Sequence, residues 1–234
     1  MSMPQYLADI KEKEFFIEGA EAHHLTGVAR HKEGDEITVF DGKGKQYTAR
    51  ITRVQNGFVR GELLEIVPIK KSAISLELCF APSSRNTLED VLDKCTQLGV
   101  ASFQPIYTTR SEYDLLQKWE SKEERWNQII LSACKQCSRG EVPLLHKPLA
   151  FEKCAARPDL PSLLAYEAEE THTLAWGLKK LGNPQELRVY IGPAGGWTDE
   201  EIVIGAQYDI LPVTLGPHIL RAETACIAAC AKLL

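Results

Sequence analysis

Two short stretches near the end of the chain hold the residue types best suited to gripping a ligand. They are Ile191-Gly192-Pro193-Ala194-Gly195-Gly196-Trp197-Thr198-Asp199-Glu200-Glu201 and Leu215-Gly216-Pro217-His218-Ile219-Leu220-Arg221-Ala222-Glu223-Thr224-Ala225. Each passes from an apolar, strand-like run through Gly-Pro into the start of a helix. Glycine permits unusual backbone angles, and proline fixes one while deleting a donor. Two such turns in series therefore predict paired rigid loops at one end of a sheet, where ligands sit in α/β folds. The first loop has no Lys or Ser/Thr at the spacing of a phosphate cradle and does not follow G-x-G-x-x-G, which disfavours a triphosphate or dinucleotide. A cofactor held mainly by backbone N–H and C=O groups fits better, and an adenosylmethionine-type molecule is one candidate. A pair of ordinary strand-to-helix connections is the alternative.

Other reactive groups carry less. Cys134-Lys135-Gln136-Cys137 has the spacing of a redox or metal pair but falls inside an amphipathic helical pattern with no second pair to match it. Cys226 and Cys230 read the same way, and His23-His24 has no acidic or histidine cluster at ligand spacing, so no metal is expected. Gln136, Ser138 and Arg139 gather donors where a helix ends, a grouping that suits RNA phosphates or base edges and equally a solvated helix terminus. Arg85, Lys94, Arg110 and Arg221 are scattered in sequence, several of them near expected strand ends where they could converge.

The elements that must position these groups fall into two parts. From Phe15 to Val67 short β-type runs alternate with turn signals, among them Asp41-Gly42 between apolar alternations, a strong hairpin signal. This predicts a small β-barrel or sandwich over residues 1–71. After Val67-Pro68-Ile69-Lys70-Lys71-Ser72 the pattern changes to strands alternating with helices over 72–234, which implies a mostly parallel sheet covered on both faces. A helix after Ala81-Pro82-Ser83-Ser84-Arg85 is expected to be capped by Asn86 and closed by Gly99. A second is expected to open at the capping box Ser121-x-x-Glu124. Strands are expected at Val100 to Ile106, Leu163 to Tyr166, Leu187 to Ile191 and Ile210 to Leu215. Helices are expected at Thr173 to Leu181, Asp199 to Ala206 and from about Glu223.

With 44% hydrophobic residues, the 234-residue chain can build a sizeable core, and no run approaches the roughly 20 apolar residues that span a bilayer. The start lacks the apolar core of a signal peptide, which points to the cytoplasm, and the odd count of seven cysteines points to reduced thiols. The net charge of −5 excludes a generally basic surface but not a basic stripe. Residues 1–71 hold eleven Lys/Arg against eleven Asp/Glu, so the whole deficit lies beyond them.

The spacing His24-Leu25-x-x-Val28-x-Arg30, with Gly34-Asp35 and Asp41-Gly42, resembles the N-terminal barrel of the RsmE-type 16S ribosomal RNA uracil-N3 methyltransferases. So do Lys94-Cys95-Thr96-Gln97-Leu98-Gly99-Val100, Glu124-Arg125-Trp126 with Gln136 and Arg139, and both Gly-Pro loops. The similarity spans essentially the whole chain in order. It implies a PUA-like β-barrel followed by an α/β SPOUT methyltransferase domain, with a trefoil knot at roughly residues 160–225. S-adenosylmethionine would be held by Leu164, Tyr166 and Glu167, by Ile191, Gly192, Gly195 and Gly196, and by Leu215, Gly216, Ile219 and Leu220. The resemblance further implies a homodimer acting on 16S ribosomal RNA in the assembled small subunit. Arg30, Lys32, Arg85, Lys94, Arg110, Gln136 and Arg139 are then RNA contacts, and Arg139 and Arg221 stabilise charge on the uracil, with no side chain marked as general base. Arg50 and Arg53 add phosphate contacts on the barrel. The chain departs from the family pattern at Ala194 and Gln97, where Glu is expected, at His218, where Arg is expected, and at Ala222, where Thr is expected. A non-enzymatic RNA-binding protein keeping the fold, or methylation of another base, is the alternative.

Overall fold

The computed structural model describes residues 5–55 and 57–234, which fall into two compact units. One comprises the chain through Lys70 together with Leu131–Val142, and the other comprises Lys71–Ile130 with Pro143–Leu234.

The first unit contains β1 (Gln5–Leu7), β2 (Asp9–Lys11), β3 (Glu14–Glu18), α1 (Gly19–His23), a π-helical turn over His24–Val28, β4 (Glu36–Phe40), β5 (Gln46–Gln55) and β6 (Phe58–Ile66). These strands form one sheet in the order β1-β4-β5-β6-β3-β2, antiparallel except for the β1–β4 pair. The two edge strands are joined through Ala8 alone, so their facing ends lie within about 7.6 Å, two Cα–Cα steps, and the sheet must roll until its edges meet. Register shifts in the β5–β6 pair sharpen the curl, and a Cβ at Gly61 would lie 2.0 Å from the Arg50 carbonyl oxygen, so only glycine allows that approach. Tyr6, Phe15, Ile17, Leu25, Ile37, Val39, Ile51 and Val59 fill the interior. This is the expected PUA-like barrel.

The second unit contains β7 (Ser75–Phe80), α2 (Arg85–Leu98), β8 (Ser102–Tyr107), α3 (Leu115–Gln136, whose last turns belong to the first unit), β9 (Leu144–Leu145), β10 (Leu149–Ala150), α4 (Phe151–Ala155), β11 (Ser162–Ala165), α5 (Leu174–Lys180), β12 (Glu186–Ile191), α6 (Asp199–Gln207), β13 (Leu211–Val213) and α7 (Ala222–Leu233). The sheet order is β10-β8-β7-β12-β11-β13, β9 also pairs with β8, and every pair is parallel. Cys79 and Tyr190 face the layer of α4 and α6, where Phe151, Cys154 and Trp197 pack. Strand alternation turns Leu78 and Phe80 to the opposite face, against which α7 packs and carries α2. The expected α/β architecture is present.

Helix starts depart from the sequence expectation. Ser84, in extended backbone, caps α2 by accepting from Thr87 N, and Asn86 already lies in the first turn. Helix α3 begins six residues before Ser121, with Asp114 Oδ1 accepting from Gln117 N, and Ser121 is an interior residue whose hydroxyl donates to the Lys118 carbonyl oxygen. Burial of Leu115 and Trp119 stabilises that extra length, a tertiary contribution that the capping pattern at Ser121 does not register. Strand β13 is shorter than expected because Thr214 turns the chain, its hydroxyl bonded to Gly216 N and O.

All seven cysteines are free thiols. Cys134 is buried and its pKa is pushed up to about 12 by that burial, which keeps it protonated and unsuited to thiolate redox or metal chemistry. Among the described residues no group of three or more His, Cys, Asp or Glu could hold a metal, and no helix is long and apolar enough to cross a membrane.

Candidate active site

Strands β12, β11 and β13 are neighbours, and Ala165 pairs with both Ile191 and Val213, so the three carboxyl ends are level. The loops that leave them, residues 166–173, 192–198 and 214–221, therefore emerge side by side from one edge of a parallel sheet, the position at which α/β folds bind ligands. Along the chain their first residues are 26 and 22 positions apart.

The loops are locked to one another. Tyr166 N donates to the Val213 carbonyl oxygen at 3.0 Å, and the Trp197 indole Nε1 donates to the Ala165 carbonyl oxygen at 2.9 Å. A Cβ on Gly192 would stand 2.8 Å from the Trp197 ring, and one on Gly196 would stand 2.0 Å from a Glu167 carboxylate oxygen. Gly196 also has φ +73°, and its N donates to the Pro193 carbonyl oxygen at 3.0 Å, closing a tight turn. These glycines let the Trp197 ring and the Glu167 carboxylate come close to the backbone, the property their types predict. In the third loop Gly216 has φ +144°, Lys232 Nζ donates to the Leu215 carbonyl oxygen at 2.6 Å, and Ile219 is 85% exposed. Leu164 and Ile191 are buried at the strand ends, Tyr166 and Leu220 are half-buried, and Glu167, Gly195 and Gly216 are exposed.

Glu169 and His172 reinforce the first loop. One Glu169 carboxylate oxygen accepts from Thr171 N, the Thr171 hydroxyl and His172 N, while the other pairs with His172 Nδ1 at 3.0 Å, and the imidazole stacks 3.9 Å from the Trp176 ring. The His172 side chain first, then these N–H and O–H donors, lower the Glu169 pKa to about 2. A depressed carboxyl contributes stability that is present above its unfolded value and lost as pH falls through the folded one. Between roughly pH 4.5 and 2 this loop is therefore expected to loosen. Glu169→Gln should flatten that part of the acid limb in a fluorescence titration, and an unchanged limb would argue against the assignment.

The candidate cations separate. Arg85 opens α2 just beyond β7, Arg110 follows β8 and Arg221 immediately precedes α7 after β13, so all three lie at the carboxyl edge of the sheet. Lys94 does not join them, because α2 runs back toward the amino edge and carries it about 14 Å from Arg85 along the helix. Arg85 and Arg125 both pair with Glu89, Lys94 pairs with Asp90 at 3.2 Å, and such exposed pairs remain open to other partners. Arg110 donates to the Gly195 and Trp197 carbonyl oxygens. Arg221 is exposed.

In the first unit Arg30 and Lys32 are exposed, Arg30 in left-handed backbone, whereas Arg50 is drawn into pairs with Glu36 and Glu62. Gln136 is exposed at the last residue of α3, and Arg139 is half-buried, its pKa lowered by that burial. The buried Gln5 amide fixes this helix end, donating to the Cys134 and Arg139 carbonyl oxygens at 2.8 Å each. Of the departures from the family pattern, Ala194 and His218 are exposed, Gln97 donates to Asp93, and Ala222 is the buried first residue of α7.

Glu201 escaped the sequence reading although Thr198-x-x-Glu201 is a legible capping box. Its buried carboxylate accepts from Thr198 N at 2.9 Å and from Thr109 N at 2.8 Å. Trp197 carried no signal beyond its place in the loop.

An RNA methyltransferase domain model matches residues 70–234, well over half the chain, and an RNA methyltransferase PUA domain model matches residues 17–64. The chain is 34% identical over 219 residues to the ribosomal RNA small subunit methyltransferase E of Synechocystis sp., covering 92% of this chain and 70% of that one. It is 30% identical over 227 residues to the protein of that name from Bacillus subtilis, covering 90% and 86%. The crystal structure of a ribosomal RNA small subunit methyltransferase E from Neisseria gonorrhoeae bound to S-adenosyl methionine superposes with a TM-score of 0.86 at 28% identity, over 99% of this chain and 97% of that one. By these matches over the family domain and nearly the whole chain, the protein belongs to the RNA methyltransferase family of the ribosomal RNA small subunit methyltransferase E proteins.

Proposed function

We propose that the protein methylates N3 of a uridine in 16S ribosomal RNA of the small subunit, with S-adenosylmethionine as methyl donor. The observation that carries this reading is the set of three level loops after β12, β11 and β13, fastened to one another through backbone groups. Residues 166–173, 192–198 and 214–221 contain no Lys and a single Arg, Arg221 at the far end, whereas Glu167, Glu169 and Glu170 lie among them, which suits a cationic sulfonium and not a polyphosphate. Leu164, Tyr166, Glu167, Ile191, Gly192, Gly195, Gly196, Leu215, Gly216, Ile219 and Leu220 are the proposed cofactor contacts. The knot at roughly residues 160–225 belongs to the same reading.

When bound, the cofactor supplies an electrophilic methyl group. The chain's own task is to hold the uracil ring in line while its N3 proton leaves, and to offset the negative charge that develops on the ring. Arg221 is the proposed charge stabiliser in the second unit. In the first, Arg30 and Lys32 from the barrel and Gln136 and Arg139 from the Leu131–Val142 segment hold RNA. N3 lies on the Watson–Crick edge, so the substrate is an unpaired uridine in structured RNA, fitting an assembled subunit in the cytoplasm. A homodimer completes the reading, with the exposed Ile219 as apolar surface for a second copy; sedimentation at graded concentration tests it.

Nucleoside mass spectrometry of small-subunit RNA from cells lacking the protein is the test. Loss of 3-methyluridine alone, restored by the wild-type gene, is the expected result, and retention of that nucleoside would refute the reading. Arg221→Ala is expected to slow methyl transfer by about 10²-fold while leaving cofactor affinity within about twofold. RNA binding should weaken with salt, and removing Arg30 or Lys32 should reduce the slope of log K against log salt by about one each, measured by filter binding.

A further inference from the structure

The segment after β8 reaches across the carboxyl edge, hydrogen-bonding the Gly192–Thr198 loop at Gly195 and Trp197 and the first turn of α6 at Glu201. Arg110 NH1 donates to the Gly195 carbonyl oxygen at 2.9 Å and to the Trp197 carbonyl oxygen at 3.1 Å. The neighbouring Thr109 N donates at 2.8 Å to the buried Glu201 carboxylate, whose other oxygen accepts from Thr198 N. The Arg110 stem also lies against the loop, since a Cβ built on Gly195 would stand 3.2 Å from Arg110 Cβ. The contacts are therefore spread from the middle of the loop to its entry into α6.

We propose that Arg110 is a positioning residue for the methyl-donor loop, with Thr109–Glu201 as its second fastening, and that it is not an RNA contact. The inference rests on reading that loop as part of the adenosylmethionine pocket. Three of the five residues from Gly192 to Gly196 are glycine, the residue with most backbone freedom to lose, so without external ties the loop would sample many conformations. A ligand that binds only one of these has its affinity reduced by that fraction. One guanidinium nitrogen meeting two carbonyl oxygens two residues apart removes this freedom at the point where the glycines leave most of it. Glu201 alone cannot do so, because its contacts begin at Thr198.

The experiment compares wild type, Arg110→Ala and Arg110→Lys in the full chain. Hydrogen exchange without ligand is expected to quicken about tenfold at amides 194–198 in Arg110→Ala and to stay unchanged in the barrel and in β7 and β12. S-adenosylmethionine affinity by calorimetry should fall about tenfold, and KM for it should rise with kcat retained, while affinity for a 16S ribosomal RNA transcript stays within about twofold. Arg110→Lys, which keeps a donor, should recover part of both. Unchanged exchange at 194–198, or a loss of RNA affinity with cofactor affinity intact, overturns the proposal and returns Arg110 to the RNA surface. Absence of cofactor binding by the wild type would refute the pocket reading, and the exchange comparison would still decide whether Arg110 fastens the loop.

Discussion

Gly192→Ala is expected to lower S-adenosylmethionine affinity by about 10²-fold and to abolish most methyl transfer, although the change adds a single methyl group. That methyl would lie 2.8 Å from the edge of the Trp197 indole, closer than nonbonded carbons approach. The ring cannot simply swing away. It is 4% exposed, packs on Phe151 with centroids 4.8 Å apart, and its Nε1 holds the Ala165 carbonyl oxygen. Overpacking of this kind costs about 1–3 kcal/mol, and loss of the indole hydrogen bond adds about 1 kcal/mol, so the loops after β11 and β12 would part or distort together. At about 1.4 kcal/mol per tenfold, that range spans the stated loss of affinity. Gly182→Ala is the comparison for a glycine change without a clash: Gly182 has open space around it, though unlike Gly192 it has a positive φ (+79°). It should cost about 1 kcal/mol of stability through backbone strain and leave cofactor binding intact. Calorimetry with the cofactor, alongside tryptophan fluorescence, decides the matter, and wild-type affinity in Gly192→Ala would show that the Trp197 contact does not shape the site.

Glu77→Ala is expected to destabilise the second unit by about 3–5 kcal/mol, the largest stability loss anticipated for a single side chain. Glu77 and Arg188 are direct partners in the β7–β12 register, 4% and 0% exposed, and Arg188 Nε donates to the Glu77 carboxylate. Arg157 donates to the same carboxylate at 3.1 Å, and Arg188 also reaches Asp159 at 2.9 Å and the Arg157 carbonyl oxygen at 3.0 Å. Burial works against the Arg188 charge, but Glu77 and Asp159 outweigh it and leave its pKa above the ordinary value. Removing Glu77 strands that guanidinium with only the half-exposed Asp159 to balance it. For a protein of this size the loss corresponds to a fall of roughly 6–20 °C in Tm. All four tryptophans, Trp119, Trp126, Trp176 and Trp197, belong to the second unit, so fluorescence-detected melting reports on it directly. Glu77→Leu with Arg188→Leu should recover much of the loss, because an apolar pair of similar volume avoids the unpaired charge. A double variant no more stable than Glu77→Ala would mean that the ion pair stabilises beyond its own desolvation.

Much of this was legible in the residues themselves, for a local reason. The strand signals at Leu163 to Tyr166 and Leu187 to Ile191, the helix closed by Gly99 and Asp-Gly between apolar runs each act over a few residues, and each corresponds to an element of the structure. The Gly-Pro loops were readable because glycine and proline restrict or free the backbone at their own position. Misjudged helix starts at Asn86 and Ser121 have the opposite cause. Several residues nearby could cap, and burial of Leu115 and Trp119 chose among them.

By itself, then, the sequence determined the two-part plan, the strand and helix types, and the glycine positions where side chains close on the backbone, because these depend on local backbone preference and apolar period. Only the tertiary structure decided that β12, β11 and β13 lie together, that Arg110 fastens a loop 85 residues away, and that Glu77 meets Arg188 across 111 residues. Those facts follow from a strand order that does not run in chain order. No local preference encodes it, because it is set by which apolar faces bury one another when the whole sheet assembles.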